Sequence, residues 1–155
     1  MQYYLDKGGI LMYLLLTLAI IGIIIILWKL AEITLFKLRV KKYHKVIDQP
    51  ERRAAALIAP LDRGLTTLKI ISTISPLLGL LGTVLGIFMA FEGIMLHGLG
   101  DPSHFAKGIA TALVTTVGGL IVAIPAYIFY NYFIGELDHT EQDLIQRMAG
   151  IHETP

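Results

Sequence analysis

Cysteine is missing from all 155 residues, which excludes disulfides and thiolate metal sites. Charge is scarce as well. Only 16% of the residues are Asp, Glu, Lys or Arg, against 55% hydrophobic, and the mean hydropathy is +0.67. A soluble chain of this length cannot hide so much apolar surface, so lipid must solvate part of it. His44, His97, His104, His139 and His152 have no metal-ligand spacing. No glycine run ends in the Lys-Ser/Thr of a nucleotide loop, and no serine and histidine stand in a triad context. The chain is therefore expected to be neither an enzyme nor a metalloprotein, and no cofactor or nucleic-acid partner is expected.

Three uncharged runs are present instead: residues 8–28 between Lys7 and Lys29, 70–91 between Lys69 and Glu92, and 108–135 between Lys107 and Glu136. A helix needs roughly 20 apolar residues to cross about 30 Å of hydrocarbon, and all three reach that length. The first run is too long for a signal peptide and lacks a small-residue cleavage site after Trp28, so it reads as a retained anchor. Ten of the 13 Lys and Arg fall between Lys29 and Lys69, whereas the second connection holds only Lys107. The positive-inside rule then predicts an outer N-terminus, a cytoplasmic first connection and a cytoplasmic C-terminus in the bacterial inner membrane. Two readings stand for this charge: it sets the topology alone, or it also touches anionic lipid headgroups.

The chain divides into an N-terminal stub with a lipid-facing first span (1–29), a basic cytoplasmic helical region (30–69), a transmembrane hairpin (70–135) and a cytoplasmic C-terminal helix and tail (136–155). The fold class is all-α. Residues 29–48 are expected to prolong the first helix past the lipid. Asp48-Gln49-Pro50 reads as a break, and Pro60 as another. From Asp62 a helical pattern runs without interruption into the second span. Residues 97–104, His-Gly-Leu-Gly-Asp-Pro-Ser-His, read as turn material, and Glu92 as a side chain snorkelling to the interface.

The first span is almost pure Leu and Ile, but the other two are not. Gly79, Gly82, Gly86 and Ala90 recur every three or four residues in the second, and Gly108, Thr111, Ala112, Thr115, Gly118, Gly119, Val122, Ala123 and Ala126 do so in the third. Such stripes let membrane helices approach closely. They predict protein neighbours and, with so few helices per chain, an oligomer. Pro76 and Pro125 read as helix-start or kink devices, and Asn131 as a hydrogen-bonded interface residue. Counted from the turn near Gly100, Thr83 and Thr116 fall at nearly one depth, with Thr115 adjacent and Thr111 more than a turn nearer the loop. Two readings stand for these hydroxyls: bonds to their own helix carbonyls, or the edge of a water-lined path. No Asp, Glu, Lys, Arg or His lies near the centre of any span. Either the chain moves no protons, or another helix brings the titratable group.

Pro76-Leu-Leu-Gly-Leu-Leu-Gly-Thr-Val-Leu-Gly-Ile-Phe88 resembles the second-span signature of the ExbB/TolQ/MotA proton-channel family. Gly108-Ile-Ala-Thr-Ala-Leu-Val-Thr-Thr-Val-Gly-Gly-Leu-Ile-Val-Ala-Ile-Pro125, with Tyr130-Asn131 beyond it, resembles the third. The likeness covers roughly residues 62–135. It implies a pentameric ring around a dimer of single-span ExbD- or TolR-like partners, each with a transmembrane aspartate, and a TonB- or TolA-like protein that receives the work of proton flow. Thr83 and Thr116 match the family's pore-lining threonines. Two departures matter. Thr111 stands where many ExbB and TolQ proteins have a glutamate, and the chain lacks the extra spans and large domain of the flagellar member. ExbB-type and TolQ-type roles both remain, beside a non-conducting membrane scaffold and a self-contained small channel.

Overall fold

The computed structural model describes residues 2–40, 50–98 and 102–149. It is all-helical, with α1 Gln2–Val40, α2 Pro50–Asp62, α3 Leu65–His97 and α4 Pro102–Ala149. Among the described residues, three helices are long and apolar enough to cross a membrane, over Ile10–Leu38, Leu65–Leu96 and Phe105–Ala149. At about 1.5 Å per residue, α3 is roughly 50 Å long and α4 roughly 70 Å, so both outrun the hydrocarbon.

Local sequence explains where the helices stop. Pro50 opens α2, where its missing N–H costs nothing, and Glu51 places negative charge in the first turn. The rest of the expected break, Asp48 and Gln49, lies outside the described residues, as do 41–47. Pro60 corrects its expectation: it lies inside α2, which runs on to Asp62. A proline this close to a helix end forfeits a single backbone bond, and α2 absorbs the loss. The turn comes at Gly64, whose φ of +93° is left-handed backbone that glycine adopts without strain. The pattern read as continuous from Asp62 is thus interrupted, and α3 begins at Leu65. At the other end of the hairpin the connection is shorter than the turn expected over 97–104. His97 closes α3, Gly98 caps it at φ +73° with its N–H donating to the Ile94 carbonyl (2.8 Å), and Pro102 already belongs to α4.

The molecule is packed in two different ways. At the basic end, large side chains form the core: Ile26 and Ile33 of α1, Ala54, Ile58 and Leu61 of α2, Leu65 and Leu68 of α3, and Phe133, Leu137, Leu144 and Met148 of α4. The buried face of α2 follows from its spacing of four and three residues, which puts Ala54, Ile58 and Leu61 on one stripe. Lys37 of α1 pairs with Glu136 of α4, and Lys69 sits 5.9 Å from the Tyr130 ring centroid. Along the spans, by contrast, α3 and α4 meet through small residues. The first span is not wholly lipid-facing. Leu15, Gly22 and Ile26 are buried, with Leu15 and Met12 against Gly118 and Gly22 against Ile71, while Ile10, Ile20, Ile23, Ile24 and Leu27 stay exposed.

Among the described residues, one lysine is buried. Lys29, at the end of the first apolar run, is 6% exposed. Its ammonium donates to Glu32 Oε2 (2.6 Å) and to the Leu61 carbonyl (2.9 Å) in the last turn of α2. A cation at a helix C-terminus satisfies a carbonyl that has no partner within the helix and opposes the negative end of the helix dipole. The Lys29 stem lies against Gly64, where a Cβ would come within 3.2 Å of its Cε. The turn between α2 and α3 is thereby tied to α1.

Candidate functional site

The glycines of α3 face the small residues of α4 within one chain. A Cβ built at Gly79 would lie 2.9 Å from the Thr115 carbonyl oxygen and 3.1 Å from the Thr116 Cα. At Gly86 it would lie 2.8 Å from the Ala112 Cβ and from the Gly108 carbonyl oxygen, and at Gly82 it would overlap the Thr115 side chain. Gly119 packs on the Ser75 carbonyl and Gly79, and Gly108 on Gly86 and Ala90. Real side-chain atoms do not approach backbone so closely, so only glycine allows this seam. The stripes therefore cover one another, and they do not by themselves call for a second copy. Much of the apolar surface left open lies on other faces, including Leu80, Val84, Phe88, Leu113, Val117 and Ile121.

The four threonines separate into three environments. Thr83 and Thr116, both half-buried, meet across the seam with their hydroxyls in hydrogen-bond contact. Thr83 Oγ1 also reaches the Gly79 carbonyl (3.2 Å) and the Ala112 carbonyl (3.5 Å), and Thr116 Oγ1 reaches the same two at 3.3 and 3.4 Å. Two hydroxyls and two carbonyls, one carbonyl from each helix, thus close a diamond. Each hydroxyl carries one proton. If Thr83 donates to Thr116, Thr116 turns its proton to a carbonyl; the reverse arrangement uses the same atoms. The pair can pass polarity in either direction without moving a helix. Thr115 differs: it is buried against Gly82, and its hydroxyl donates to the Ala112 carbonyl of its own helix (2.8 Å). Thr111 lies one turn nearer the loop, half-buried, and its carbonyl accepts a longer bond from Thr115 (3.3 Å).

Pro76 and Pro125 lie within continuous helices. Each removes an N–H, which frees the carbonyls of Ser72 and Ile121 from their usual partners. Pro125 lines a groove of about 250 Å³ together with Gly22, Ile71 and Ala126. Asn131 is exposed and donates to the Tyr127 carbonyl of its own helix (2.8 Å). Among the described residues no group of His, Asp and Glu converges as a metal site.

Sequence reasoning passed over two residues. Ser75 continues the α3 stripe, is fully buried, and its hydroxyl has no hydrogen-bond partner among the described residues. Its spacing of four from Gly79 was the available signal. The burial of Lys29 had none, since a lysine at the end of a span ordinarily snorkels to water.

Comparison with known proteins fits this geometry. Residues 29–146 match the MotA/TolQ/ExbB proton channel family. Over 115 residues the chain is 37% identical to an ExbB homologue from Methanothermobacter thermautotrophicus, covering 73% of this chain and 40% of that protein. It is 44% identical over 87 residues to the biopolymer transport protein ExbB of Salmonella typhimurium, covering 56% and 36%. With ExbB of Neisseria gonorrhoeae it shares 35% over 107 residues, covering 69% and 49%. The matched stretch is thus less than half of each relative's length. The family match covers the basic region and the whole glycine-sealed hairpin, and on that ground the chain belongs to the MotA/TolQ/ExbB proton channel family.

Proposed function

We propose that the chain is an ExbB-like energiser subunit of the bacterial inner membrane that couples proton flow to mechanical work. Five copies surround a dimer of single-span ExbD-like partners, and a TonB-like protein carries the work toward the outer membrane. Its N-terminus lies outside, and the basic end of the bundle lies in the cytoplasm, where ten of 13 Lys and Arg fall between Lys29 and Lys69. The observation that carries the reading is the Thr83–Thr116 pair, two linked hydroxyls in spans that contain no Asp, Glu, Lys, Arg or His. Hydroxyls can relay a proton but cannot store one at neutral pH. The storage group must come from elsewhere, and an aspartate on a partner helix supplies it. Thr111, in place of the acid many relatives carry, leaves access from the outer side to water and hydroxyls.

The test is proton flux in liposomes containing the chain with and without an acidic single-span partner. Flux is expected only with the partner. Thr83→Val and Thr116→Val should each leave the complex assembled and cut flux at least ten-fold. Full flux in both valine variants would end the proton-path reading. A second reading, a non-conducting scaffold, is supported by the same bonds, because the Gly79 and Ala112 carbonyls already satisfy both hydroxyls. It predicts no flux with any partner. A TolQ-type role in envelope maintenance uses the same mechanism and differs in the protein driven.

A further inference from the structure

We infer that the cleft between α1 and the α2–α3 turn binds the headgroup of an anionic phospholipid, with an acyl chain lying along α1. The cleft is half-open, measures about 360 Å³, and lies where the first apolar run ends. Ile25 and Trp28, from the end of the first apolar run, line one side, and Pro60 and Arg63, from the end of α2 and the turn after it, line the other. Trp28 is 70% exposed although it is the largest side chain on the helix. An indole at the end of a span belongs at headgroup depth, where its ring meets acyl carbons and its N–H meets water and phosphate.

Charge selects the occupant. Lys29 and Glu32 also line the cleft, but they neutralise each other, and the remaining reach of the ammonium goes to the Leu61 carbonyl. Arg63 is exposed, and its guanidinium has no hydrogen bond or ion pair among the described residues. Among the described residues, the cleft therefore presents one uncompensated cation above an apolar floor. A guanidinium takes a phosphate by two parallel bonds. A zwitterionic lipid would bring its own ammonium against that cation, whereas an anionic headgroup would not. The Gly64 turn fixes Arg63 in place, because the Arg63 N–H donates to the Pro60 carbonyl (3.3 Å) and Gly64 rests on the Lys29 stem. This inference requires only that the chain sits in a bilayer, and it is independent of proton transfer.

Trp28 is the chain's single tryptophan, so its fluorescence reports on this site alone. The full chain would be reconstituted in vesicles in which either phosphatidylglycerol or phosphatidylcholine carries brominated acyl chains, at equal mole fraction. Brominated phosphatidylglycerol is expected to occupy the site about five-fold more readily, the worth of one basic side chain at an anionic surface. Arg63→Gln should bring the two lipids to parity, while Arg53→Gln, exposed on α2 and outside the cleft, should preserve the preference. Equal quenching in the unmodified chain, or a preference that survives Arg63→Gln, overturns the site. Equal losses in both variants overturn it too, since they assign the effect to diffuse surface charge. Because no arm measures flux, failure here leaves the proton reading intact, and failure of flux leaves this result standing.

Discussion

The two ends of the α3–α4 hairpin solve the same problem with opposite materials. At the basic end Leu68 and Leu144 are fully buried, together with Phe133 at the close of the third uncharged run, so large side chains fill the space between the helices. Along the spans, Gly79, Gly82, Gly86 and Gly119 bring the backbones nearly into contact. Water explains the first choice: burying a large apolar side chain stabilises a fold by roughly 1.5–3 kcal/mol only where the alternative is exposure to water. In lipid a leucine gains nothing by leaving the surface, so helices associate through close packing and interhelical polar contacts. Glycine permits the first, and the Thr83–Thr116 bond supplies the second. The hairpin thus changes its packing material along its length, from large side chains at the basic end to glycine in the uncharged runs.

That contrast can be broken at defined points. The largest effect is expected from Gly86→Leu, which forces a side chain into the Ala112 backbone. The hairpin should fail to close, with loss of folded protein from detergent extracts on size-exclusion chromatography. Next, Phe133→Ala should cost about 3–5 kcal/mol, as expected for a large buried aromatic, read as a lowered thermal midpoint in the same detergent. Lys29→Met keeps the apolar stem but removes the bonds to Glu32 and Leu61. It should cost about 1–3 kcal/mol and raise hydrogen exchange selectively at the α2–α3 turn. The smallest and most diagnostic change is alanine at two glycines. Gly135 has open space around it, so Gly135→Ala should be neutral or stabilising by up to about 1 kcal/mol from helix propensity. Gly86→Ala should instead lower the midpoint. Equal responses at the two sites would remove the case for a seam.

Much of this was readable from residues alone, for physical reasons. Three uncharged runs of spanning length leave little choice of element. Counting from the loop placed Thr83 and Thr116 at one depth, because rise per residue is nearly constant in a helix. Spacing alone could not say what the small stripes touch. It encodes close approach but not the identity of the neighbour, and in this molecule the neighbour is the other arm of the same hairpin. The boundary near residue 60 was misplaced for a similar reason. Proline two residues from a helix end disturbs only the last turn, whereas Gly64 offers a backbone state that other residues avoid, so the turn settled there. The anchoring of Lys29 depends on where α2 ends in space, which no local pattern contains.

The unbroken length of α4 has a mechanical consequence. Its 48 residues join the glycine seam to the Leu144 and Met148 contacts as one rod. Pivoted at its middle, a rod of about 70 Å moves each tip by about 3 Å for every 5° of tilt. A small rocking of the hairpin in the bilayer is therefore delivered as a displacement the size of a side chain at the far end.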